Sequence, residues 1–242
     1  MAQEYGPKIV TDGLVLSLDA ADKNSYPGSG TTWYDLSGKG NDGTLTNGPT
    51  FSSTAGGGTI VFDGSNDYVS LPSQNDAQTV LSGWGNMTGA DTNNYSIELW
   101  VKTSQSAGSN AIDSPGLVAR NSGDIYCNLT CYNGIVYFVH YNGSWVYTPA
   151  STTDISDNVW HHVAFVNHSN ETGDIYIDGV KEASGVSTSI VGSNYFSPDN
   201  LGRGYLSKYF NGEISTFSAY DRALSAKEIS QNFNAKRSRF SV

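Results

Sequence analysis

Short runs in which apolar and polar residues alternate recur along the chain, and this period of two predicts β-strands. In residues 95–102, Ile97, Leu99 and Val101 lie on one face of the predicted strand, and Glu98 lies on the other. Comparable runs predict further strands at 13–19, 59–62, 68–71, 125–132, 135–141, 159–167 and 174–178. The turn pair Asn133-Gly134 joins two of them and is typical of a tight hairpin. The chain is therefore predicted to be rich in short antiparallel strands.

A single helix is predicted near the end of the chain, at 225–235. Ser225 and Glu228 have the spacing of a capping box, in which each side chain binds the backbone N–H of the other residue. Ile229 and Phe233 lie four residues apart, which places them on one face of the helix, ready to pack on a sheet. Residues 236–242 are predicted to form a basic tail after this helix.

About ten strands with polar loops and one terminal helix are typical of an all-β fold, a two-sheet antiparallel jelly-roll sandwich. The 242 residues suit one large domain, predicted to span residues 1–235. The longest irregular stretches, 20–58 and 73–94, are expected to be functional loops, because compact domains rarely keep spare loops of that length.

Charged residues make up only 15% of the chain, and the net charge is −10. A general nucleic-acid binder is excluded, since phosphate contacts require a positive surface. The charge is uneven, because residues 222–242 contain five basic residues and one acidic residue. Lys236, Arg237 and Arg239 are therefore predicted to anchor the chain to an acidic partner surface. The alternative is a solvated basic tail.

No run approaches the ~18 apolar residues needed to cross a bilayer, so membrane insertion is not expected. The first residues do not resemble a secretory signal, which predicts a protein made in the cytoplasm. On an extended strand Cys127 and Cys131 would lie ~13 Å apart, too far for a disulfide, so both are predicted to be free thiols.

Two clusters of aromatic and amide side chains are candidates for sugar binding. The first contains Asn142, Trp145 and Tyr147, and the second contains Asn194, Tyr195 and Tyr205. Exposed aromatic rings beside amide groups suit the apolar and polar faces of a sugar. The alternative is that these rings belong to the core.

Ca²⁺ is the ion that the sequence favours. Asp63, Asn66 and Asp67 offer three side-chain oxygens in one turn, and hard oxygen ligands suit this cation. Asp and Asn are also ordinary turn residues, which is the alternative explanation. His161 and His162 would leave opposite faces of a strand and are predicted to be packed histidines rather than ligands of one metal.

Six segments occur in an order that resembles the laminin-G-like domains of the concanavalin A-like lectin/glucanase superfamily. They are FDGSNDYV at 62–69, YSIELWVK at 95–102, WHHVA at 160–164, IYIDGV at 175–180, NGEI at 211–214 and YDRALSAKEI at 220–229. The resemblance implies a jelly roll of two curved sheets, often with Ca²⁺ at a loop rim. Glucanases of this superfamily carry Glu-x-Asp-x-x-Glu on one strand. This sequence lacks that motif, so the protein is predicted not to be an enzyme.

A second resemblance is to laminin-G-like virion structural proteins of tailed bacteriophages, particularly marine ones. It rests on GLVLSLDA at 13–20, WYDLSGKGNDG at 33–43 and FNAKR at 233–237. It implies a capsid decoration, knob or fibre protein that is located in the virion. Its expected partners are other capsid or tail proteins, further copies of itself and host-surface glycan. The alternatives are a free carbohydrate-binding module and a polysaccharide-degrading glycosidase.

Overall fold

The computed structural model describes residues 7–54, 56–72, 94–106, 108–120, 127–141, 145–147, 150–168, 172–187 and 198–242. In chain order the strands are Leu14–Asp19 (β1), Thr32–Trp33 (β2), Gly43–Thr46 (β3), Thr50–Ser52 (β4), Thr59–Asp63 (β5), Tyr68–Ser70 (β6), Tyr95–Lys102 (β7), Gly116–Arg120 (β8), Cys127–Tyr132 (β9), Ile135–Tyr141 (β10), Trp145–Tyr147 (β11), Trp160–Asn167 (β12), Thr172–Ile177 (β13), Val180–Ser187 (β14), Asn200–Leu201 (β15) and Asn211–Tyr220 (β16). One α-helix, Ala226–Phe240 (α1), follows β16.

The strands form two antiparallel sheets of eight strands each, which confirms the predicted sandwich. The first sheet has the order β14-β13-β12-β7-β16-β5-β4, with β1 also paired to β16. The second sheet has the order β11-β10-β9-β8-β15-β6-β3-β2. Within the expected irregular stretch 20–58 the structure contains β2, β3 and β4. These strands have two to four residues each, too few to show an alternation in the sequence.

The main core lies between the two sheets and contains the alternate residues that the sequence pattern identified. On β7, Ile97, Leu99 and Val101 belong to this core. On the neighbouring strand β12, Val163 and Phe165 also belong to this core. The intervening residues of both strands are also buried, because a second layer covers the other face of this sheet.

Helix α1 forms that second layer. It begins as predicted, with Ser225 and Glu228 in a complete capping box. Arg222 donates to the Glu228 carboxylate at 2.6 Å, and this contact lowers the pKa of Glu228 to about 2. The helix is longer than predicted, because it continues past residue 235 to Phe240. Most of the expected basic tail is therefore helical.

Aromatic packing explains the extra helical turn. The ring of Phe240 stacks on Trp100 with centroids 4.1 Å apart and contacts Trp160 at 4.9 Å. Phe233 also stacks on Trp100, with ring centroids 5.6 Å apart. Burying these large rings stabilises the end of the helix against the outer face of the first sheet. The outer face of the second sheet lies on the opposite side of the sandwich from α1.

Candidate functional site

Trp145 and Tyr205, which the sequence placed in two separate clusters, form one aromatic pair. Their ring centroids lie 5.0 Å apart with planes at 64°, an edge-to-face contact. Trp145 begins β11, and Tyr205 begins a short 3₁₀ turn, Tyr205–Ser207, between β15 and β16. Both residues are half-buried, so each ring combines packing with partial exposure.

The register of the strands places Trp145 on the outer face of the second sheet. Trp145 pairs with position 141 of β10. Val136 and Phe138 of β10 belong to the core between the sheets, and position 141 has the opposite parity. The aromatic pair is thus outside the core and on the opposite side of the sandwich from α1.

The loop 203–209 carries Tyr205 and is closed by backbone contacts at its base. Arg203 and Tyr209 form a β-bridge, and the Gly204 N–H donates to the Lys208 carbonyl at 2.7 Å. Gly204 packs against β8 so tightly that a Cβ on it would lie 2.7 Å from the backbone nitrogen of Gly116. Only glycine fits at this contact, which fixes the loop to the second sheet.

The tip of this loop combines a strained backbone with one exposed apolar side chain. Leu206 and Ser207 have φ angles of 51° and 57°, in the left-handed region that non-glycine residues rarely adopt. The Leu206 side chain is 64% exposed. Sequence reasoning missed Gly204 and Leu206. The two closely spaced glycines, Gly202 and Gly204, are the signal that indicates a tight loop here.

The remaining predicted sugar-binding residues are only partly placed. Asn142, Asn194 and Tyr195 lie outside the described residues. Tyr147 ends β11 and pairs with Val139 of β10. Near the loop, the Arg203 guanidinium lies 5.2 Å from the ring centroid of Tyr68, a cation–π contact that the sequence did not suggest.

Asp63, Asn66 and Asp67 form a compact turn between β5 and β6. Asp63 accepts a hydrogen bond from the Ser65 N–H at 2.8 Å, and this contact lowers the pKa of Asp63. Asp67 is buried, which raises its pKa, and it accepts from the Asp63 N–H at 3.2 Å. These hydrogen bonds stabilise the turn between β5 and β6. In the described part of the chain, no group of three or more His, Cys, Asp or Glu side chains is arranged to hold a metal. Ca²⁺ binding stays a prediction.

Each glutamate of the described chain has structural partners. Glu98 is buried beneath α1, where Asn232 donates to it at 3.0 Å. Glu182 accepts from the backbone N–H groups of Thr152 and Thr153 at 2.7 and 3.0 Å. Glu213 contacts Lys102 and Thr59, and Glu228 caps α1. Their carboxylates therefore serve the fold.

The two adjacent histidines are packed, as predicted. His162 lies against Trp100 under α1, with its Nε2 3.4 Å from Glu98. His161 is held between two carboxylates, with Nδ1 2.9 Å from Asp178 and Nε2 3.2 Å from Asp157. Burial opposes protonation of His161, but the two carboxylates outweigh it and raise its pKa above the ordinary value.

Two of the three predicted anchor residues bind within the chain. Arg239 makes a bidentate contact to Asp19 at 2.7 and 3.0 Å, and Lys236 contacts the same carboxylate at 3.3 Å. Burial of Asp19 opposes ionisation, but Lys236 and Arg239 outweigh it and lower the pKa of Asp19. Arg237 is exposed, with its guanidinium 6.0 Å from the Phe233 ring. The predicted partner contact therefore depends chiefly on Arg237.

The prediction of a free thiol is tested at Cys131. Cys131 is a free thiol in the core, and burial raises its pKa to about 12. Among the described residues, no helix combines the length and apolar character that crossing a membrane requires.

The protein is a lectin-like β-sandwich of two antiparallel sheets. An aromatic pair lies outside its core. The family model Laminin_G_3, of the concanavalin A-like lectin/glucanases superfamily, matches residues 63–230. The chain therefore belongs to this family, as its sequence motifs predicted. No curated protein sequence matches it significantly.

Solved structures with the same fold include several binding domains. The binding domain of Paraclostridial Mosquitocidal Protein 1 has a TM-score of 0.69 and 18% identity over 93% of this chain and 52% of its own. The botulinum neurotoxin serotype D binding domain has a TM-score of 0.68 and 16% identity, over 93% and 51% of the two chains. This chain spans about half the length of these toxin domains.

In a third solved structure, the match extends over nearly the whole length of both chains. Domain 4 of AbnA, a GH43 extracellular arabinanase from Geobacillus stearothermophilus, was solved in complex with arabinotriose. It has a TM-score of 0.67 and 20% identity, over 91% of this chain and 98% of its own. At these identities the similarity establishes the fold.

Proposed function

We propose that this protein is a non-catalytic glycan-binding domain whose contact surface is centred on Trp145 and Tyr205. The edge-to-face pair outside the core is the observation that carries the proposal. A ring that is partly exposed on a fixed loop offers an apolar platform to the C–H face of a sugar. The arabinotriose complex of the AbnA domain supports a glycan as the ligand class.

A binding role without catalysis is supported by the carboxylates. Glycoside hydrolysis requires a pair of carboxyl groups on either side of the scissile bond. The described glutamates are held in structural contacts, and Glu98 is buried under α1. We therefore expect no increase in reducing ends when the protein is incubated with a polysaccharide that it binds.

The test is binding to an immobilised glycan array that includes arabino-oligosaccharides. Trp145→Ala and Tyr205→Ala should each weaken binding at least tenfold, because each removes one ring of the platform. Tyr34→Ala is the matched control, since Tyr34 is an exposed aromatic residue just after β2, at the far edge of the same sheet. The proposal would be contradicted if the wild-type protein bound no glycan. It would also be contradicted if both Trp145→Ala and Tyr205→Ala bound glycan as tightly as wild type.

We further propose that the protein is a structural component of the virion of a tailed bacteriophage, where it serves as a capsid decoration, knob or fibre protein. The segment 33–43, which carries the virion resemblance, folds around Asp35, whose carboxylate accepts from the backbone of Ser17 at 2.9 Å. Trp33 is fully buried, whereas Tyr34 and Leu36 are 46% and 40% exposed. The buried members of the segment serve the fold, and the exposed pair is available to a neighbouring virion protein.

Antibodies against this chain test the virion assignment. They should label particles purified by density gradient from a lysate, and a variant that combines Tyr34→Ser with Leu36→Ser should be incorporated less. Arg237→Gln tests the predicted basic anchor in the same assay. Protein that sediments only in the soluble fraction would instead favour a free carbohydrate-binding module.

A further inference from the structure

Leu206 directly follows Tyr205 of the aromatic pair in the chain, and core packing does not explain its conformation or its exposure. Its side chain is 64% exposed, so it adds little to the core. Its backbone has φ 51° and ψ 32°, in the left-handed region. Glycine or asparagine adopts that conformation more readily than leucine. Strained, exposed residues of this kind are concentrated at binding sites.

The loop presents Leu206 in a fixed place. The Gly204 N–H donates to the Lys208 carbonyl at 2.7 Å, and the Lys208 N–H donates back to the Tyr205 carbonyl at 3.2 Å. At the base of the loop the Gln105 side chain donates to the Tyr209 carbonyl at 3.3 Å. Together with the close packing of Gly204 on Gly116, these bonds hold the loop before any ligand binds.

We infer that Leu206 is a specificity-determining contact that favours N-acetylated sugars over sugars with a hydroxyl at the same position. This inference rests on the proposed function of Trp145 and Tyr205. A sugar stacked on those rings would bring a substituent close to Leu206, the residue that follows Tyr205. A hydroxyl placed there would lose water without gaining a hydrogen bond from the leucine side chain. The methyl of an acetamido group is complementary to it.

The experiment uses immobilised glycans in matched pairs that differ at one position only. Suitable pairs are glucosyl with N-acetylglucosaminyl termini and galactosyl with N-acetylgalactosaminyl termini. Burial of one methyl predicts that wild type binds the acetylated member about fourfold more tightly, or better. Leu206→Asn should remove this preference. It should not lower the melting temperature, because asparagine tolerates the left-handed backbone. Leu206→Gly gives a second variant with an unstrained backbone and the same expected loss.

Val180→Asn is the matched control. Val180 is also 64% exposed, but it lies on β14 at an edge of the first sheet. This variant should keep the wild-type preference. Equal binding of both members by wild type overturns the inference and leaves the proposed function standing, and so does a preference that survives in both Leu206 variants. If wild type binds no member of any pair, the inference fails, and the proposed function fails with it only when the array that includes arabino-oligosaccharides also shows no binding.

Discussion

Asn232 of helix α1 donates a hydrogen bond to the buried carboxylate of Glu98 at 3.0 Å. The same amide contacts the Tyr220 hydroxyl at 3.0 Å and accepts from the Val10 N–H at 2.7 Å. Burial next to Glu98 raises the pKa of Tyr220, so this hydroxyl stays protonated and can donate to the Val10 carbonyl. One side chain thus joins the helix, the first sheet and the N-terminal segment.

Replacing Asn232 should destabilise the fold. Asn232→Ala leaves the Val10 N–H and the Glu98 carboxylate without this partner in a buried place, at a cost of about 1–3 kcal/mol. Unfolding in urea measures the change. Asn234→Ala is the control, because its amide donates only to Ser230 of the same helix, and its free energy of unfolding should change by no more than about 0.5 kcal/mol. Equal losses in both variants would contradict this account.

The aromatic stack at the end of the helix leads to a second prediction. Phe240→Ala removes a ring that contacts both Trp100 and Trp160, and it should cost about 3 kcal/mol. Tryptophan fluorescence should shift to longer wavelength, because water reaches the two indoles. Val242→Ala alters an exposed residue two positions later and should leave both measurements unchanged. An unshifted spectrum in Phe240→Ala would show that the stack is absent in solution.

The pKa of His161 predicts how stability depends on pH. The folded pKa lies above the unfolded value of about 6.5, because the contacts with Asp178 and Asp157 outweigh burial. The favourable contribution of His161 is therefore complete below about pH 6.5 and is lost as the pH rises through the folded pKa. Denaturation between pH 5.5 and 8.5 should show this loss in wild type and a smaller one in His161→Gln. Asp157→Asn should be intermediate. Identical profiles for wild type and His161→Gln would refute the assignment.

Backbone strain at Leu206 can be measured separately from ligand binding. Leu206→Gly relieves the left-handed strain, whereas Leu206→Ala shortens the side chain but keeps the strain. The glycine variant should therefore be more stable than the alanine variant by about 1 kcal/mol, after the greater flexibility of unfolded glycine is allowed for. Thermal unfolding of the two variants compares them directly. An alanine variant as stable as the glycine variant would show that residue 206 is not strained.

The local elements of this fold follow from the sequence. Ile97, Leu99 and Val101 have the alternation of a strand with one face in the core, and the structure places them there. The capping box of Ser225 and Glu228 correctly predicted Ser225 as the N-cap of the helix, because it depends on neighbours in the chain. Its end was predicted too early. Phe240 is held by Trp100 and Trp160, which are distant in sequence, and no local pattern reveals that contact.

The candidate site depended on the tertiary structure in the same way. The sequence identified Trp145 and Tyr205 as separate aromatic candidates, since 59 residues lie between them. Folding brings their rings to 5.0 Å and holds Leu206, which follows Tyr205 in the chain, in a left-handed backbone conformation. It also directs Lys236 and Arg239 inward to Asp19, although the sequence favoured a partner surface. Periodicity and caps are properties of neighbouring residues, whereas contacts between distant residues are decided only when the two sheets pack.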